Sequence, residues 1–141
     1  MHLRISNRRT QHLFILWALA AVISFFGAAG TYAQEDDDAA ALFEQGQDAH
    51  EKGDLVKAVE LYRKAIEAAG DLPEAEYQIG NAYRSLGKLD EAERAFRRAA
   101  ELRPEWSLAF AALGSTLVTR GKYADAGPIL KTAIELDRNS F

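Results

Sequence analysis

The chain has 141 residues and a formal charge of −4, from 17 basic and 21 acidic side chains, which bounds it to about one small domain. It has no cysteine, so disulfide bonding and thiol chemistry are excluded. Residues 1–33 carry three arginines and no acid, so the remainder holds 14 basic and 21 acidic groups, a net of −7. Such an acidic body gains nothing from phosphate neutralisation or a polybasic lipid contact, and neither nucleic acid nor a membrane surface is an expected partner of it.

Residues 1–33 read as an address. Arg4, Arg8 and Arg9 precede an apolar stretch from Leu13 to Phe26, and Thr31, Tyr32 and Ala33 supply small residues at the positions a signal peptidase inspects. Cleavage after Ala33 would leave Gln34 as the new N-terminus. The alternative is an uncleaved anchor, because Leu13 to Gly30 is 18 residues, the short limit of a membrane span. Either way the arginines stay on the inner side and the rest is exported, to a bacterial periplasm or cell envelope, with membrane attachment only through this segment. Thr10, Gln11 and His12 follow the arginine pair where a twin-arginine signal needs apolar residues, and the absence of cysteine excludes a lipoprotein.

Residues 34–38 form a short acidic leader. Glu35, Asp36, Asp37 and Asp38 lack the glycine and spacing of a calcium loop, and Asp38 is placed to cap the helix that follows.

From residue 39 the chain repeats with a period of 34. Gly46, Gly80 and Gly114 form one series, Gly53, Gly87 and Gly121 a second, Ala58, Ala92 and Ala126 a third, and Ala65, Ala99 and Ala133 a fourth. Within one copy, Tyr77, Gly80 and Tyr83 lie three apart, Gly87 interrupts, and Ala92, Phe96 and Ala99 follow at spacings of four and three. That pattern is two helical stripes broken by a turn. Gly80 and Ala92 are expected where the two helices cross, with Tyr83 and Phe96 filling the space beside them. Gly87 ends the first helix, and Pro104 cannot continue the second.

On these residues the chain resembles a tetratricopeptide repeat protein, whose helix-turn-helix unit has this period. The resemblance covers 39–138 as three repeats, 39–72, 73–106 and 107–138, with a tail at 139–141. It implies an all-α fold, a right-handed superhelical stack of three hairpins (an α-solenoid) after the N-terminal signal or anchor. The proline that closes a family repeat is present as Pro104, whereas Gly70 and Arg138 hold that place in the other copies.

The resemblance also implies a ligand groove lined by the first helix of each repeat. Carried over residue by residue, its positions are Ala40, Phe43, Gln47 and His50, then Glu74, Tyr77, Asn81 and Arg84, then Leu108, Ala111, Ser115 and Val118. Of these, Phe43, Gln47, His50, Tyr77, Asn81, Arg84, Leu108, Ala111 and Ser115 are the candidate peptide-binding residues. Phe43 and Tyr77 would hold apolar side chains or else pack between helices, Gln47 and Asn81 would pair with a peptide backbone, and Arg84 would meet a carboxylate. The clamp by which some family members hold acidic C-terminal tails needs basic and amide residues where this chain has Phe43, Leu108 and Ala112, so such tails are not expected ligands.

Nothing points to catalysis, a metal or a cofactor. After the first 33 residues only His50 is available for proton transfer near neutral pH, and there is no histidine pair for zinc or glycine-rich phosphate loop. Carboxylate pairs such as Glu74 and Glu76 are explained by a charged helix face, and no acid is placed to orient His50 toward Ser115.

The third repeat is irregular. Pro128 falls inside its second helix, and taking Asp125 as the cap puts Ala126, Gly127 and Pro128 in the first turn of a helix over about 126–136. Without a capping helix, Ile129, Leu130, Ile134 and Leu136, with Phe141, form a candidate assembly surface. The expected function is a non-enzymatic envelope adaptor holding an extended segment or helix of a protein partner in the groove. The alternatives are a self-assembling, homo-oligomeric structural subunit and, more remotely, an accessory subunit of an enzyme.

Overall fold

The computed structural model describes residues 38–138; residues 1–33, read above as an address, residues 34–37 and residues 139–141, Phe141 among them, lie outside the described range. Six helices follow in chain order: α1 over 38–51, α2 Leu55–Ala69, α3 Pro73–Ser85, α4 Leu89–Leu102, α5 Ser107–Thr119 and α6 Tyr123–Arg138. They pair as hairpins α1–α2, α3–α4 and α5–α6, stacked so that α2 packs on α3 and α4 on α5. Among the described residues there is no strand.

The turns inside the hairpins set the period. At the end of α3 the Gly87 N–H donates to the Arg84 carbonyl at 3.0 Å and the Lys88 N–H to the Tyr83 carbonyl at 2.9 Å, satisfying groups the helix leaves open. The same pair of bonds recurs from Gly53 and Asp54, and from Gly121 and Lys122. Gly87 has φ +72°, a left-handed conformation that a side chain would strain.

Each hairpin closes on one glycine. A Cβ at Gly46 would lie 2.6 Å from the Tyr62 ring, one at Gly80 2.6 Å from the Phe96 ring, and one at Gly114 2.5 Å from Leu130. The large side chain of the second helix therefore lies directly on the glycine of the first. Ala92, one turn before Phe96, joins it with Ala112, Leu113, Leu117 and Ala126 in the core between repeats 2 and 3. Repeats 1 and 2 share Ala58, Val59, Leu61, Tyr62, Ala75, Ile79, Ala82 and Ala95.

Two local expectations are corrected. Asp38 is itself helical, inside the element it was expected to cap. Helix α6 begins at Tyr123, three residues before the expected start, with Pro128 inside it. The starts of α2, α4 and α6, at 55, 89 and 123, keep the 34-residue register, because the Gly121–Lys122 turn launches the helix as its counterparts do. Proline then omits one N–H to the Ala124 carbonyl, a local cost outweighed by the packing of α6 on α5.

Candidate groove on the first helices of the repeats

The expected groove residues lie on α1, α3 and α5, which the turns bring side by side. Their roles divide. Phe43 rests on Tyr62 with ring centroids 5.4 Å apart, and Tyr77 rests on Phe96 at 5.4 Å and on Trp106 at 4.9 Å, so both rings are half packing and half surface. Tilted pairs of this kind are worth about 0.5–1.5 kcal/mol beyond area burial. Phe43 also forms, with Ala39, Ala40, Gln47, Leu72 and Glu74, an apolar cleft of about 470 Å³ at the α1 end.

The centre is polar and internally ordered. Arg84 donates to the Asn81 side-chain oxygen at 3.0 Å, and Asn81 donates to the Gln78 oxygen at 3.3 Å. The Arg84 guanidinium also lies 5.4 Å from the Phe96 ring centroid, so it is oriented by an amide and a ring rather than by a neighbouring acid. Gln78 faces Gln47, His50, Glu51 and Tyr62 across a smaller cleft. Burial, reinforced by the Glu51 carboxylate, pushes the Tyr62 hydroxyl above its ordinary pKa.

Toward α5 the surface turns apolar. Leu108 is 51 % exposed and Val118 41 %, with Ala111 and Ser115 between them. Ala112, one of the places the acidic-tail clamp would use, is buried and does not reach this face.

Two clusters escaped the sequence reading. Arg103, paired with Glu74, lies 4.8 Å from the Trp106 ring centroid, tying the start of α3 to the loop before α5. Burial opposes the charge on Glu74, but the hydrogen bond from Arg103 holds its carboxyl below the ordinary range. Neither Arg103 nor Trp106 occupies a periodic position; their only signal is an aromatic and a cation on either side of Pro104.

The second cluster centres on Glu93, buried on α4. It accepts from Arg97 at 3.0 Å, from Lys122 at 3.0 Å and from Arg120, which also pairs with Asp90. Arg120 and Lys122 belong to the α5–α6 turn, so the knot fastens the third hairpin to the second. Burial alone would raise the Glu93 carboxyl; the hydrogen bonds from Lys122 and Arg97 bring it below the ordinary range.

The assembly residues do not form one surface. Ile129 and Leu130 pack toward α5, with Leu130 on Gly114, and Leu136 is half-buried. Ile134 is the large apolar residue of this set that α6 leaves in the open, 59 % exposed. Among the described residues no histidine or carboxylate cluster is arranged to hold a metal ion, and no helix is long and apolar enough to cross a membrane.

Comparison with known proteins agrees with this architecture. Tetratricopeptide repeat profiles match residues 18–73, 73–105 and 109–140, the first beginning inside the stretch read as an export signal. The chain is 32 % identical over 98 residues to the heat shock protein STI1 of Saccharomyces cerevisiae, covering 69 % of this chain and 17 % of that protein. It is 28 % identical over 109 residues to the human protein O-mannosyl-transferase TMTC2, covering 75 % of this chain and 13 % of the relative. It thus spans less than a fifth of either relative's length. Among solved structures, the second TPR of Spaghetti (RPAP3), bound to the HSP90 peptide SRMEEVD, superposes with a TM-score of 0.68 at 27 % identity. That match covers 73 % of this chain and 95 % of the other. With three family matches in tandem over three hairpins of one register, the chain belongs to the tetratricopeptide repeat family.

Proposed function

We propose that the chain is a non-enzymatic adaptor that holds a segment of a partner protein along α1, α3 and α5. The observation that carries this is the graded face itself: an apolar cleft at Phe43 and Leu72, a polar centre at Gln47, Gln78, Asn81 and Arg84, and the exposed Leu108 and Val118. Apolar recesses around a few oriented hydrogen-bonding groups suit an extended peptide. The Spaghetti repeat shares the fold and holds an acidic HSP90 peptide. On this chain the acidic-tail positions carry Phe43, Leu108 and the buried Ala112, so we assign it an apolar or amide-rich segment instead.

The cell envelope is the proposed location, on the strength of Arg4, Arg8 and Arg9, the apolar run and Ala33. N-terminal sequencing of the exported protein tests it, and a start at Met1 or His2 removes the cleavage. Partner capture is tested by a pull-down from an envelope extract with the native chain and a Gln47→Ala/Arg84→Glu variant, both changes being at exposed positions. Partners lost from the variant support the groove; an identical set retained at equal yield refutes it.

The exposure of Ile134 favours a second reading, self-association through α6. One period earlier its counterpart Ala100 is 4 % exposed, covered by the next hairpin. Light scattering should then show mass rising with concentration and an Ile134→Lys variant staying monomeric; a native chain that stays monomeric at high concentration ends this reading.

A further inference from the structure

The two places where one hairpin meets the next differ at the entry to the first helix. Before α5, Trp106 rests on Tyr77 with ring centroids 4.9 Å apart, and Arg103 lies 4.8 Å from the Trp106 ring centroid while pairing with Glu74. One period earlier, before α3, Phe43 stands for Tyr77, Leu72 for Trp106 and Ala69 for Arg103. An aliphatic side chain thus replaces the indole, and a methyl group replaces the cation. It is here that the cleft of about 470 Å³ opens, lined by Phe43, Ala69 and Leu72 among others. Both places are interior to the described stack, so the difference comes from the side chains and not from an end.

The volume is in the range of small-ligand sites. A ring entering it would meet Phe43, as Trp106 meets Tyr77, together with the aliphatic carbon of Leu72 and Ala69; an aromatic pair gains more than its buried area alone. The rim is acidic. Glu44 and Glu74 both line the cleft, and Glu44 closes no hydrogen bond or ion pair. A cation next to the ring would pair with Glu44 and stand over the ring as Arg103 stands over Trp106. An acid in that position would be opposed by both glutamates and by the net charge of −7 on residues 34–141.

We propose that this cleft is a subsite for an aromatic side chain flanked by a basic residue on the partner segment. The pair reproduces, between α1 and α3, the arrangement that Trp106 and Arg103 make between α3 and α5. This rests on the groove reading and sharpens it by naming the side chains that the α1 end selects.

The test uses the full chain with its alanine and leucine methyl groups labelled for NMR. It is titrated with three N-acetylated dipeptide amides: phenylalanyl-arginine, phenylalanyl-glutamate and alanyl-arginine. The first should produce saturable shifts on the methyls of Ala69 and Leu72; the second should bind several-fold more weakly and the third at least tenfold more weakly. Leu72→Trp should weaken the first probe at least tenfold, read on Ala69, because its ring closes the cleft as Trp106 closes the next. Should that variant not fold, Ala69→Arg, a change at an exposed position, should weaken the same probe several-fold, read on Leu72. Shifts absent from these methyls, an alanyl or glutamyl probe as effective as the first, or an undiminished response in the folded variants overturn the subsite. A cleft that takes no probe while envelope partners are still captured removes only this inference, whereas partners retained by the Gln47→Ala/Arg84→Glu variant remove the groove.

Discussion

Gly80 shows how little room the hairpins leave. Alanine is the better helix former by about 1 kcal/mol, so Gly80→Ala would stabilise an isolated helix. In the hairpin its methyl group would stand 2.6 Å from the Phe96 ring, and overpacking of that kind costs about 1–3 kcal/mol. The melting temperature of Gly80→Ala should therefore fall; a rise would show that the α3–α4 contact is looser than its geometry. The importance of Gly46, Gly80 and Gly114 was readable beforehand from the 34-residue spacing, because close approach of two backbones restricts residue type strongly. Which side chain lies on each glycine was not. The second stripe offers Ala92, Phe96 and Ala99, and only the packed hairpin sets Phe96 on Gly80. The double character of Phe43 and Tyr77, half core and half groove, follows likewise from contacts with Tyr62, Phe96 and Trp106 that no local pattern encodes.

The helices differ in how they are fastened. Between α2 and α3 the contact is apolar throughout its core, whereas the α5–α6 turn is tied to α4 through Glu93. The Glu93 carboxyl has a lower pKa folded than unfolded, so the folded state binds fewer protons in the window between those values. Its stabilisation is complete above the ordinary carboxylate pKa and disappears as pH falls through the lowered folded value. Acid should thus loosen the third hairpin, with earlier hydrogen exchange in α5 and α6 than in α3. Glu93→Gln should lose about 1.5–3 kcal/mol at neutral pH, the usual worth of hydrogen bonds to a charged group, and a good part of the acid sensitivity. If α5 and α6 exchange at the same rate in native and variant chains between pH 3 and 7, the knot has no such role. Its members are invisible to a periodicity search, since Arg120 and Lys122 lie 27 and 29 residues from Glu93 and on no common stripe. The start of α6 was missed for the opposite reason. Pro128 is a strong local signal, and the repeat register overruled it.

Taken as a whole, the described chain is a short linear stack whose extensive contacts run within hairpins and between consecutive ones, so its stability is close to a sum of hairpin and junction contributions. The two junctions, however, are written in different chemical languages. Where Glu93 receives Arg120 and Lys122, the positions one period earlier are Val59, Leu86 and Lys88, and Asp90 corresponds to Val56. Excising residues 73–106 would join two well-formed hairpins in perfect phase and still set Arg120 against Val56 and Val59, stripped of both its acids. The three units are therefore not interchangeable beads: the acids that receive Arg120 at the second seam have no counterpart at the first, and that difference numbers the hairpins.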